Sequence, residues 1–146
     1  MREQKCARIK QTKEPAMLEL LGKNLCRDFD YNFLKENIAD FHYIKLRNGH
    51  EVFGYNNAAN LLNEDFSIDL HFENTKLVRF ELCASEIRAF EYNKAHSIHY
   101  KWLEENFGQY RTHIGSEVHY ITDDYDFYDC YDPKSGSDDI LVKVLR

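Results

Sequence analysis

The chain has little of what breaks or staples a fold. Only two of its 146 residues are proline and six are glycine, while 43% are hydrophobic. That balance excludes a disordered or low-complexity chain. Its four cysteines, Cys6, Cys26, Cys83 and Cys130, form no Cys-x-x-Cys pair and no zinc-ligand spacing. Thiols this sparse fit a reducing compartment, and two disulfides are the alternative for an oxidising one. A chain of this length buries enough surface to fold without staples. No apolar run reaches the length of a bilayer span, and the charged first 14 residues hold no secretory core, so the expected location is cytoplasmic. There is no G-x-x-x-x-G-K-[ST], no G-x-G-x-x-G and no G-x-S-x-G. Nucleotide binding through those loops and α/β-hydrolase chemistry are thereby set aside.

Aromatic residues and unevenly placed charge are what the chain does have. Ten tyrosines and ten phenylalanines favour strands and supply contact area. The net charge is −6, but residues 115–139 alone carry −7, from Glu117 and seven aspartates against Lys134. Residues 1–13 are basic and read as a flexible tail. An acidic surface repels phosphate, so neither nucleic acid nor membrane is an expected partner; it attracts a basic protein.

Punctuation and periodicity then divide the chain. Pro15 and Gly22 bracket an expected short helix over residues 16–21. Asp28 and Asp30 are N-cap candidates for a helix over 31–39, with Tyr31, Leu34, Ile38 and Phe41 on one face. Asn48-Gly49 signals a two-residue hairpin that would pair Ile44 with Phe53 and His42 with Tyr55. Residues 56–64 read as a polar connector with a helical turn at 58–62. The next hairpin joins strands 66–73 and 77–83. A three-residue loop sets Phe72 against Val78, Leu70 against Phe80 and Ile68 against Leu82, at the expense of setting Asp69 against Glu81. A short turn at 86–90 and a helix over 94–107, stopped by Gly108, come next. Strands follow near 110–114, 117–122, 125–131 and 140–145.

The halves echo each other. Phe33-Leu34-Lys35-Glu36-Asn37 resembles Trp102-Leu103-Glu104-Glu105-Asn106, and Gly49-His50-Glu51-Val52 resembles Gly115-Ser116-Glu117-Val118. The expected fold class is α+β: two tandem helix-helix-four-strand units, residues 14–83 and 84–146, sharing one antiparallel sheet with helices packed on one face. This order resembles the tandem repeats of the β-lactamase inhibitor protein and of similarly folded small bacterial immunity and inhibitor proteins. The resemblance implies a broad sheet surface that grips a partner protein. It rests on element order, without a motif, and assigns no contact residue. Inhibitors of that type that are secreted carry disulfides, for which these cysteines are not placed; a cytoplasmic immunity protein fits better.

The first expected function is therefore that of a non-enzymatic immunity or inhibitor protein. Its acidic, aromatic surface, formed by Asp123, Asp124, Asp126, Tyr128 and Asp132, would neutralise a basic toxin or enzyme, with no cofactor and no metal. A solvated edge strand is the other account of the same aspartates, and a calcium loop lacks its glycine and distal glutamate. His96 and His99, three apart on a helix, point to a small metal-dependent enzyme with nearby carboxylates as the alternative. His119 and Asp126 are expected neighbours across a turn. A structural subunit or a homodimer joined at a sheet edge completes the set.

Overall fold

The computed structural model describes residues 17–85, 92–132 and 134–146. The expected basic tail (1–13) and the turn at 86–90 lie outside them. Ten strands are β1 (Glu19–Leu20), β2 (Lys23–Asn24), β3 (His42–Lys45), β4 (Glu51–Leu61), β5 (Glu64–Glu73), β6 (Lys76–Ala84), β7 (Arg111–Ile114), β8 (Glu117–Ile121), β9 (Tyr125–Asp132) and β10 (Ser137–Val144). The helices among the described residues are α1 (Tyr31–Glu36) and α2 (Tyr92–Phe107), followed by 3-10 turns at Ile38–Asp40 and Gly108–Tyr110. β3 to β10 form one antiparallel sheet in the order β3-β4-β5-β6-β10-β9-β8-β7, while β1 and β2 pair separately. Two four-strand meanders thus meet at their last strands.

The two helix-helix-four-strand units are not there: the structure is mostly sheet with one long helix. Residues 17–21, the described part of the expected first helix, explain the first loss. Leu18 and Leu20 are buried on either side of exposed Glu19. That alternation has a period of two and makes a strand, not a helix. Leu21 and Gly22 both take positive φ, 53° and 78°, and close a tight hairpin. The connector at 56–64 is strand up to Leu61 for the same reason, with Ala59 and Leu61 buried while Ala58 and Asn60 are exposed, and Leu62 and Asn63 turn into β5. β4 runs on through it past an irregularity between Tyr55 and Ala59.

Turn geometry also moves two registers. At Asn48-Gly49 only Gly49 has positive φ, 88°. Asn48 Oδ1 instead accepts the His50 N–H at 2.9 Å. The loop therefore holds three residues, and Tyr43 pairs with Phe53 and Ile44 with Val52. At the β5–β6 tip the opposite occurs. Asn74 and Thr75, at φ 52° and 65°, make a two-residue loop, so Phe72 faces Leu77. A bulge at Val78 then restores the pairs Leu70–Phe80, Ile68–Leu82 and Asp69–Glu81. Helix α1 is shorter than expected, and Asp30 caps it by accepting from Phe33 N at 3.0 Å.

Both helices and the β1–β2 hairpin pack on one face of the sheet. Under α1, Tyr31 meets Phe53 and Phe72 edge-on. Under α2, Trp102 meets Phe66, Phe107 and Phe127. The Tyr125 hydroxyl ties the hairpin down: it donates to Leu25 O at 2.6 Å and accepts from Leu18 N at 3.2 Å. No helix among the described residues is long and apolar enough to cross a membrane.

Candidate functional site

The opposite face of the sheet has no helix or hairpin on it among the described residues. One cross-strand row crosses its whole width: His42, Gly54, Asp69, Glu81, Leu141, Tyr128, His119 and Thr112. At ordinary strand spacing this row spans roughly 34 Å. A Cβ at Gly54 would lie 2.8 Å from Asp69 Oδ1, so a larger residue there would displace the Asp69 carboxylate. Asp69, Glu81, Asp126 and Asp139 face outward, with Arg79 and Lys143 interleaved. Burial, then the charge of Glu81, raises the pKa of Asp69. Burial also raises that of Asp139. The hydrogen bond from His71 lowers that of Glu81 against burial.

The five expected contact residues divide. Asp126 and Tyr128 share this face and both engage His119. The His119 ring stacks on Tyr128, with centroids 4.9 Å apart, and its Nδ1 lies 2.7 Å from Asp126 Oδ1. Burial disfavours charge on His119, but the hydrogen bonds to Asp126 and Glu117 outweigh it and raise the pKa. Asp123 sits in the β8–β9 turn and pairs with Arg146 at 3.4 Å. Asp124 sits in the same turn, and its carbonyl accepts from Leu145 N. Asp132 lies at the far end of β9, roughly 26 Å from that turn at strand rise. Its carboxylate accepts from Lys134 N and from the Ser135 hydroxyl, which lowers its pKa.

A second constellation lies on the covered face. Helical spacing brings His96 and His99 to one side of α2. The alternation of β10 puts Asp138 on the same face as buried Ile140, Val142 and Val144. β9 adds Asp129, opposite Ile140. His96 Nδ1 lies 2.9 Å from Asp138 Oδ2 and 3.0 Å from Asp129 Oδ2. His99 is fully buried, with Nδ1 2.7 Å from Asp138 Oδ1 and Nε2 accepting from Ala84 N at 2.9 Å. Burial disfavours charge on that ring, whereas the Asp129 carboxylate, 3.6 Å away, and the hydrogen-bonded Asp138 favour it and raise its pKa. The Ala84 N–H needs a lone pair on Nε2, so the neutral ring with its proton on Nδ1 fits these contacts. Burial also lifts Asp129 to about 6, while hydrogen bonds hold Asp138 below the usual carboxylate range.

His96 and Asp129 open onto a cleft of about 610 Å³ between α2 and the β7–β8 hairpin. Tyr100, Arg111 and Tyr120 also line it. Glu104 fastens the hairpin to α2 by accepting from Arg111 and from the Tyr120 hydroxyl. The histidine spacing alone does not reveal Asp138 as a partner. Its signal is parity: it is the residue that continues the buried set of β10 backwards.

Comparison with protein-family models, with curated proteins and with solved structures finds no match. The element order on which the resemblance to the β-lactamase inhibitor protein rested is not the one the structure has, and no comparison restores it.

Proposed function

We propose that the protein is a non-enzymatic binding protein whose open sheet face receives a basic protein surface. One observation carries this reading: a sheet eight strands wide whose second face bears Asp69, Glu81, Asp126 and Asp139 and no covering element among the described residues. Carboxylates spread over a broad β surface steer a cationic partner and set its orientation. Tyr128 and its stacked His119 supply the aromatic contact that such surfaces use as an anchor. Asp126 and Tyr128 keep their expected role here, joined by Asp69, Glu81 and Asp139. Asp123, Asp124 and Asp132 contribute charge from the rim. The immunity or inhibitor role is the narrower form of this proposal and adds that the bound partner loses its activity. Cys26, Cys83 and Cys130 are free thiols, which supports a reducing cytoplasmic setting.

The test is kinetic. A partner captured from the source cell is immobilised, and association rates are measured at low and high salt. Charge reversal at Glu81 and Asp126 should slow association at least tenfold at low salt, whereas Glu36→Lys, on exposed α1, should not. An unchanged association rate for the Glu81 and Asp126 variants refutes the reading.

A further inference from the structure

Four side chains around the N-terminal half of α2 have chemistry that the open-face reading does not use. His96, Asp129 and Asp138 place one donor atom each within 4.8 Å of one another. The geometry points to a binding site for one first-row divalent transition cation, held by His96 Nδ1, Asp129 Oδ2 and Asp138 Oδ2.

Three observations carry this beyond a chance meeting of acids. The first is spacing. The His96 nitrogen is 2.9 Å and 3.0 Å from the two carboxylate oxygens. With metal–ligand bonds of about 2.1 Å, adjacent ligands at right angles stand about 3.0 Å apart. The His96 nitrogen therefore already stands at the separation of an adjacent ligand from each carboxylate oxygen, and all three donors lie within 4.8 Å of one another.

The second is the surrounding shell. His99 uses both ring nitrogens, donating from Nδ1 to Asp138 Oδ1 and accepting the Ala84 N–H at Nε2. This fixes the carboxylate so that its other oxygen, Oδ2, faces His96 and Asp129. A buried imidazole holding the outer oxygen of a ligating carboxylate is the kind of support that orients metal ligands. The sequence pairs His96 with His99 as ligands; the structure makes His99 the support and Asp138 the ligand.

The third is an unmet polar atom. Asp129 Oδ1 is buried and accepts no hydrogen bond. His99 Nδ1, 3.6 Å from it, is committed to Asp138 Oδ1, and the two carboxylates are paired only with His96 and His99, with no lysine or arginine among the described ion pairs. A divalent ion supplies the positive charge. Access is open: the His96 side chain is 49% exposed while that of Asp138 is fully buried. An ion there would keep its remaining positions toward the cleft, free for water or a further donor.

The donor set selects the ion. One imidazole and two carboxylates suit Mn²⁺, Fe²⁺, Co²⁺ or Zn²⁺ better than Mg²⁺ or Ca²⁺, which take oxygen shells, and better than soft ions, which take thiolates.

The full chain, stripped with a chelator and exchanged into chelator-free buffer, is titrated with Mn²⁺ by calorimetry and by electron paramagnetic resonance. Mn²⁺ is the main probe because thiols compete poorly for it; Zn²⁺ is the second. The expected result is one saturable site, weakened at least tenfold by His96→Ala and by Asp129→Asn. Far-ultraviolet circular dichroism and the urea midpoint report folding. His96 is exposed, so its variant keeps the test decisive where the Asp129 variant fails to fold. No saturable site for either ion up to millimolar concentration overturns the proposal. So does a smaller effect in a folded variant.

Discussion

The β5–β6 tip offers a substitution expected to stabilise the protein. Asn74 and Thr75 both sit at positive φ, 52° and 65°. A residue with a Cβ in the left-handed region costs roughly 1–2 kcal/mol, and a β-branched side chain is poorly suited to it. Thr75→Gly removes that strain and creates Asn-Gly, the preferred pair for a two-residue hairpin loop. Glycine also loosens the unfolded chain, at roughly 0.4–1 kcal/mol. The net expectation is a gain of about 0.5–1 kcal/mol. With a urea slope of about 2 kcal/mol per molar, the midpoint should rise by roughly 0.3–0.5 M with the slope unchanged.

The same measurement distinguishes the two registers for this hairpin. In the three-residue loop that the alternation of β5 and β6 suggests, Thr75 would be right-handed and Lys76 left-handed. Thr75→Gly would then cost roughly 0.5–1 kcal/mol and Lys76→Gly would gain. In the structure Lys76 is a strand residue paired with Glu73, and its Nζ lies 2.7 Å from Asp28 Oδ1. Lys76→Gly should therefore lower the midpoint. A lower midpoint for Thr75→Gly, or a higher one for Lys76→Gly, refutes the assignment of a two-residue loop closed by a bulge at Val78.

Tyr125→Phe should cost about 1–3 kcal/mol, because it leaves Leu25 O and Leu18 N buried without their partner. Hydrogen exchange at the Leu18 amide should quicken more than exchange within β5, and equal acceleration at both would count against a local tie. His119 has a folded pKa raised above 6.5. Its contribution to stability is then fully present below pH 6.5 and is lost as pH rises through the folded value. Asp126→Asn should lower the His119 pKa seen by nuclear magnetic resonance and flatten that pH dependence. An unshifted His119 titration in the variant would show that the 2.7 Å contact does not set it.

Strands whose apolar residues strictly alternate were legible from sequence: Phe80 with Leu82 on β6, and Ile140 with Val142 on β10, fall on the buried face. The positions misread share a physical cause. Leu18 to Gly22 carries a helix-like composition between Pro15 and Gly22, yet only three buried leucines, Leu18, Leu20 and Leu25, decide it, and they fit a hairpin. Asn48-Gly49 is compatible with two loop lengths, and the hydrogen bond that the His50 N–H donates to Asn48 Oδ1 selects the longer. Composition could not select either, because the deciding contacts are local geometry.

The same limit explains the candidate sites. Charge density drew attention to residues 123–132, and half of what it marked is turn chemistry: Asp132 caps the loop to Gly136, and the Asp124 backbone anchors Leu145. Along β9 Asp129 shares its face with buried Tyr125 and Phe127. A charge on the buried face needs a partner. Parity along β10 supplies one candidate, Asp138, and the three-residue step along α2 supplies two more, His96 and His99. Only the pairing of Ile140 with Asp129, and the seating of α2 across β6, β9 and β10, brings the four together. An unexplained polar residue on an apolar strand face was therefore a better guide to this constellation than the aspartate-rich run around it.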